Sequence, residues 1–292
     1  MKSKRIIPSG RRAVISSLVA AAVVILLSVV GYFELRGSRI SDEAAAEFHF
    51  IDVGQGDAAM ILTHTACVVI DCGPTSASEA VTDYIGRYTD RIDCLVFSHP
   101  HEDHMGASSA VLKRFPTERI IMTEYASDAS FFSRTLDVIE ENDIAVTEAA
   151  VGETYIVGDI ALRVLSPSDD FGDMNNNSIV MRVDAGGTSA LFTGDAETEA
   201  EEVMLSRQAA WLPCDILKVG HHGSSTSSSD SFISAVSPQL AVISCGSGNS
   251  YGHPHLEVLR RLEQHGAEYH RTDIDGSIVI ESSSDGIRKT GK

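Results

Sequence analysis

Several signatures are missing from this 292-residue chain, and each absence removes a class of function. The five cysteines, Cys67, Cys72, Cys94, Cys214 and Cys245, form no CxxC pair, which removes a zinc ribbon. Cys67, Cys94 and Cys245 lie in the apolar runs "ACVVI", "DCLVF" and "AVISC", where a thiol is usually a small core group. The Gly-rich "DVGQGDA" at Asp52–Ala58 matches neither a P-loop nor GxGxxG, so nucleotide binding has no support; a tight turn bringing Asp52, Gln55 or Asp57 near a site is the better reading. Basic residues are scarce beyond the N-terminus. Residues 1–40 hold seven of the 23 Lys+Arg and one of the 41 Asp+Glu, so the remainder carries 16 basic and 40 acidic residues, a net of −24. Such a balance disfavours general nucleic-acid binding, whose non-specific affinity comes mainly from phosphate contacts.

What is present begins with Lys2, Lys4, Arg5, Arg11 and Arg12, followed by an uncharged run from Ala13 to Phe33. At about 1.5 Å per residue that run is roughly 31 Å long, close to the hydrocarbon thickness of a bilayer. The expected organisation is a basic cytoplasmic tail at 1–12, a transmembrane anchor at 13–33 and a linker at 34–46. A domain at 47–285 then lies on the extracytoplasmic side of the cell membrane. A cleaved signal peptide is the rival, but its apolar region is usually shorter, about 7–15 residues. The 43% hydrophobic content suffices for a substantial core.

From Phe48 the pattern alternates strands and turns: "FHFIDV", "AAMILT" and "CVVID". Helices are expected at Ser78–Tyr88, Phe131–Glu141, Ala196–Gln208 and Pro254–His265, the last stopped at Gly266. Hairpins are expected around Gly158-Asp159 and Gly186-Gly187. "RTDIDGSIVIES" reads as a turn and an edge strand. Each half places strands first and strand–helix units after, which suits two packed sheets with helices outside.

The chemistry concentrates in "FSHPHEDHMG", which follows the buried strand "IDCLVF". His99 and His101, two apart on extended backbone, can chelate one ion from the same side. Asp103 and His104 then reach a second position. Imidazoles with a carboxylate suit zinc, manganese or iron rather than calcium. Asp195 closes "ALFTGD" and is placed to bridge two cations. His221-His222 end "ILKVG", His253 and His255 lie in "YGHPH", and all fall just past expected strands, where α/β sites are built. Asp71 is a carboxylate suited to orienting an imidazole N–H. Ser224 and Ser225, in "SSTSSS", can hydrogen-bond a phosphate.

In this order "HPHEDH", "TGD" and "HHGS" resemble the metallo-β-lactamase superfamily. More closely, "HFIDVGQGDA", "VIDCG", "SHPHEDHMG", "LFTGD", "DILKVGHHGSSTSS", "YGHPH" and "RTDIDG" resemble the extracytoplasmic hydrolase domain of the ComEC competence family, over most of Phe48–Ile280. The resemblance implies an αββα four-layer sandwich with a two-metal site, Zn2+ or Mn2+, at one edge. Carried over, His99 and His101 hold one metal, Asp103 and His104 the other, and Asp195 bridges them. His221 is preferred as a further ligand, and His222 and His253 as catalytic or substrate-contacting imidazoles. The implied reaction is hydrolysis by an activated hydroxide, most readily of a phosphodiester and with DNA as one candidate. Alternatives are a small or cell-wall-linked phosphodiester, a lactam or thioester, and a metal-binding competence-accessory module without turnover. Two departures stand out. "FGDMNNNSIVMRV" has no histidine where many superfamily members carry another ligand, only Asn175–Asn177 and Ser178. The chain also lacks the multi-helix channel of the ComEC proteins.

Overall fold

The computed structural model describes residues 39–290, so the basic tail, the 13–33 run and the start of the linker lie outside the described residues. Among the described residues no helix is long and apolar enough to cross a membrane. The first half contributes strands β1 (Ala46–Phe50), β2 (Ala58–Leu62), β3 (Cys67–Cys72), β4 (Cys94–Val96), β5 (Arg119–Met122) and β6 (Ala145–Glu148). The second contributes β7 (Thr154–Val157), β8 (Ile160–Ser166), β9 (Val180–Ala185), β10 (Thr188–Phe192), β11 (Ile216–Lys218), β12 (Leu240–Ile243) and β13 (Glu268–Arg271). Strands β14 (Ile278–Ser283) and β15 (Gly286–Thr290) close the chain.

They form two sheets, ordered β15-β14-β1-β2-β3-β4-β5-β6 and β13-β12-β11-β10-β9-β8-β7. Each sheet changes character part-way. The first is antiparallel from β15 to β3 and parallel from β3 to β6. The second is antiparallel from β7 to β10 and parallel from β10 to β13. The repeated rhythm of the two halves is therefore a repeated architecture, with helices joining the parallel strands as crossover geometry requires.

Three apolar clusters separate four layers. The central one joins the inner faces of both sheets, with Phe48, Phe50, Ile278 and Ile280 meeting Leu162, Val183 and Phe192. On the outer face of the first sheet lie α1 (Ser78–Tyr88), the single turn α2 (Glu102–Met105), α3 (Ser108–Arg114) and α4 (Ser130–Glu141). On the second lie α5 (Thr198–Arg207), α6 (Asp230–Val236) and α7 (Leu256–Gln264). Alternation along β1 sorts its residues: Phe48 and Phe50 enter the central core, while Glu47 and His49 face the other side.

Two expectations change. "SIVIES" is not an edge strand: β14 is hydrogen-bonded on both sides, to β1 and to β15. The polar "GIRKT" of β15 carries almost no apolar signal, because an edge strand partly facing solvent needs none. Second, the extended backbone of His99 and His101 does not continue: Asp103 and His104 project from the helical turn α2. One helical turn brings the His104 ring back against His99, with centroids 4.2 Å apart.

Candidate metal centre

The site forms where parallel strands end. β3 delivers Asp71, β4 runs into His99, β10 into Asp195, and β11 into His221 and His222. Three of the six non-glycine residues with positive φ among those described are here: Asp71 (58°), His221 (47°) and His222 (53°). Backbone held in this region costs about 1–3 kcal/mol per residue and persists where surrounding structure over-determines it. The "GQG" turn packs directly on the histidine motif. A Cβ on Gly56 would sit 2.4 Å from the Asp103 carbonyl oxygen, and Asp57 N–H donates to that oxygen at 3.0 Å. The glycine is required for that approach, which aims Asp57 inward.

Two donor groups share Asp195. Asp103, His104, Asp195 and His222 have ligand atoms within 4.8 Å of one another, and so do His99, His101 and Asp195. His104 Nε2 and His222 Nε2 lie 3.2 and 3.7 Å from Asp195 Oδ1. His222 Nε2 is also 3.3 Å from Asp103 Oδ2. On the other side, His99 Nε2 is 2.9 Å from His101 Nδ1 and 3.8 Å from Asp195 Oδ2. His221 Nε2 approaches the same Oδ2, at 3.8 Å. The structure thus brings His222 into the buried group with Asp103 and His104. His221 stands at the more open rim, with its Nδ1 3.0 Å from Glu197 Oε1.

Outer partners fix the imidazoles. Asp71 Oδ2 lies 2.8 Å from His104 Nδ1 and also accepts the Ser98 hydroxyl at 2.7 Å. His222 Nδ1 lies 3.1 Å from the Ser244 carbonyl oxygen and 3.3 Å from Asp57 Oδ1. Asp57 in turn pairs with the buried Lys218 at 2.6 Å. Both rings therefore turn Nε2 towards Asp195. Ser178, in the stretch without histidine, takes a supporting position: its Oγ lies 3.2 Å from His99 Nδ1 and accepts the Asp195 N–H at 3.1 Å. Asn176 and Asn177 bind local backbone and carboxylates. Asn175 faces the site cavity.

The buried charges respond to one another. Burial would raise Asp195, but His104 and His222 hold it well below the carboxylate range. Burial likewise opposes charge on His222, yet Asp195 and Asp57 outweigh it and lift the ring to about 10. His104 is raised well above its ordinary value by Asp195 and Asp71 against the same burial. Asp103 drops to about 2, because His222 and His104 overcome its burial. His99 moves the other way, pushed well down by burial and by neighbouring His104. His253 falls to about 4 through burial and the adjacent His222 and His221.

His104 Nε2, His222 Nε2 and Asp195 Oδ1 are buried and have no hydrogen-bond partner. Buried polar atoms are nearly always paired, so three converging orphans call for a shared ligand. Two imidazole nitrogens and a carboxylate oxygen together fit a divalent transition metal. The residues present suit the group.

A cavity of about 170 Å³ opens over these donors, with His101, Asp103, Asp195, His221, His222 and His253 in its walls. Gln55, from the turn expected to lie near a site, Asn175, from the stretch without histidine, and Tyr251 complete it. Ser224 and Ser225 are not in its walls. Ser224 is buried against Thr226, and Ser225 N–H donates to His255 Nδ1 at 2.9 Å. That serine segment is held from below, because Glu201 accepts the Ser228 and Ser229 N–H groups and Arg261 donates to the Ser227 and Ser228 carbonyls. A larger cavity, about 640 Å³, lies between α1 and the strands β1 and β14, but none of the grouped metal donors lines it.

Comparison with known proteins bears on the family and the fold. Residues 51–247 match the profile described as the metallo-β-lactamase superfamily. The chain is 31% identical to ComE operon protein 3 of Bacillus subtilis over 252 residues, 80% of this chain and 32% of that protein. It is 32% identical to competence protein ComA of Neisseria gonorrhoeae over 266 residues, 90% of this chain and 36% of that one. It thus spans about a third of the length of these curated relatives. The metallo-β-lactamase fold protein YhfI of Bacillus subtilis superimposes with a TM-score of 0.54 at 9% identity, covering 84% of this chain and 99% of that one. At that identity the likeness concerns the fold alone.

Proposed function

Since the chain belongs to the metallo-β-lactamase superfamily and is related to competence proteins, we propose that it is a phosphodiesterase using two divalent ions, Zn2+ or Mn2+, held outside the cell membrane by its N-terminal segment. The observation that carries this reading is the pair of donor groups on the two oxygens of Asp195. His99, His101 and Asp195 Oδ2 would hold one ion, with His221 beside them. Asp103, His104, His222 and Asp195 Oδ1 would hold the other. This assignment moves His222 among the ligands, because its buried Nε2 makes no hydrogen bond and faces the Asp103 and Asp195 carboxylates. Such ions lower the pKa of water from about 15.7 towards 7 and offset charge on the transferring phosphoryl group.

The chain's own groups do the rest. Asp71 and Asp57 keep His104 and His222 oriented with Nε2 inward. Ser178 holds His99 and the Asp195 backbone together. His253 lies 5.7 Å from His221, ring to ring, and lines the cavity. Held neutral, it is suited to accept a proton from the attacking water rather than to supply one to the leaving oxygen. No free cation lies among these groups, since Lys218 is already paired with Asp57. The −24 charge of residues 41–292 favours a small or single-strand phosphodiester over a long duplex track.

The test is to purify the full chain in detergent and measure bound metal. A chromogenic phosphodiester, DNA and a cephalosporin are then assayed with Zn2+ or Mn2+. Phosphodiester turnover lost in His101→Ala, together with bound metal, is expected. Cephalosporin turnover alone would move the chain to lactam hydrolysis. Bound metal without turnover on any substrate would make it a binding module.

A further inference from the structure

The mouth of the metal cavity carries an exposed aromatic ring that the reaction outlined above does not use. Tyr251 is 66% exposed and lines the cavity, yet it is not loosely held. Asn249 organises the loop beneath it. Its Oδ1 accepts the N–H groups of Tyr251 at 3.1 Å and His253 at 3.0 Å, while its Nδ2 donates to the carbonyls of Gly246 and His253. The Tyr251 ring lies on His253 with centroids 5.5 Å apart and planes 24° apart. His253 in turn lies on His222 at 6.3 Å and 28°. Three rings, each within 28° of the next, therefore run from the buried donor group to the surface. The outermost is open to solvent over most of its area.

A tyrosine fixed by its backbone and stacked on one face presents the other to a planar partner at little entropic cost, having only two side-chain torsions to order. The charge balance says why uncharged contact matters at this mouth. Residues 41–292 carry a net of −24, and the buried Lys218 is taken by Asp57, so phosphate attraction has little to draw on beyond the metal positions. Ring stacking is indifferent to that charge.

We propose that Tyr251 is the specificity-determining residue of the site, a platform on which a nucleobase next to the scissile phosphodiester stacks. The proposal rests on the phosphodiesterase reading for the reaction but not for the binding step. A base paired inside a duplex cannot offer its face, so single-stranded substrate is selected. Any base serves, since each has a π-face.

The test compares a short single-stranded oligothymidylate with an abasic strand of equal length, built on tetrahydrofuran sugars and carrying the same phosphates. Full-length wild type, Tyr251→Phe and Tyr251→Ala are used. Cleavage is followed with Mn2+, and fluorescence anisotropy of labelled strands is followed with Ca2+. Wild type is expected to prefer the base-bearing strand by about 5- to 160-fold, the range spanned by base–aromatic stacking. Tyr251→Phe keeps that ratio, and Tyr251→Ala brings it to about one. A ratio unchanged in Tyr251→Ala, or a wild type that treats both strands alike, overturns the proposal. Tyr251-dependent binding of the base-bearing strand without cleavage upholds the platform and sinks the phosphodiesterase reading instead.

Discussion

Two buried histidines in the first half of the chain are built from the same parts and end differently. His49, on β1, has Nε2 3.0 Å from Glu47 Oε2 and Nδ1 3.0 Å from the Tyr84 hydroxyl, so each ring nitrogen has a protein partner. His104, on α2, has Nδ1 2.8 Å from Asp71 Oδ2, while its Nε2 has no hydrogen-bond partner and points at a carboxylate oxygen that lacks one too. Both rings are almost fully buried. Burial and a carboxylate neighbour therefore do not separate a structural imidazole from a ligand. The unspent nitrogen does. The first network closes on itself and holds β1 to α1; the second leaves His104 Nε2 and Asp195 Oδ1 as candidate metal donors.

The contrast breaks most sharply at Asp57, which serves both purposes. It orients His222 and neutralises Lys218. Asp57→Asn should weaken metal binding about 10–100-fold by calorimetry. Leaving Lys218 buried without its counter-ion should also lower unfolding free energy by about 3–5 kcal/mol in urea. A variant that kept full metal affinity would mean that Asp57 is only the lysine's partner.

His49→Phe is the complementary change. It strands the Glu47 and Tyr84 groups and should cost about 1–3 kcal/mol of stability. Bound metal, read by elemental analysis, should not move. Metal lost in step with stability would show that the two networks are coupled.

The smallest effect is one of acidity. Burial works to raise the Glu47 carboxyl, but His49 and the Ser41 N–H outweigh it and hold it below its ordinary 4.5. A depressed value in the folded state means stabilisation that is fully present above the unfolded value and disappears as pH falls through the folded one. The stability gap between wild type and Glu47→Gln should therefore be widest above pH ~5 and shrink towards pH ~3. A gap that stayed constant across that range would remove Glu47 as a titrating contributor.

Much of this was legible in the sequence, for identifiable reasons. The strand–helix rhythm, both hairpins and the helix at Ser78–Tyr88 follow from periodicity and turn chemistry, and the structure has them. His99, His101, Asp103 and His104 announce themselves by spacing and Asp195 by its place at a strand end, and the fold brings them together. What spacing does not carry is orientation. His221 and His222 are adjacent, and only their successive left-handed backbone sends one inward and the other to the rim. Asp57 was readable as a turn residue near a site, but its contact with Lys218 joins residues far apart in sequence. Tyr251 stood in the sequence only as the first residue of "YGHPH", with no role of its own, because an exposed tyrosine in a Gly/Asn/Ser loop looks like any other.

The first sheet has one further property, and it concerns the order of synthesis. β1 is hydrogen-bonded between β2 and β14, so it waits for a strand made after β2 to β13. Until Ile278 and Ile280 emerge, Phe48 and Phe50 lack part of their cover, and one edge of β1 stands open to any other extended chain. Every metal-ligating candidate lies before that point, the last being His222. The nascent chain thus acquires its chemistry before its closure. Its most vulnerable interval is the one between making the site and pairing the strand that seals the sheet.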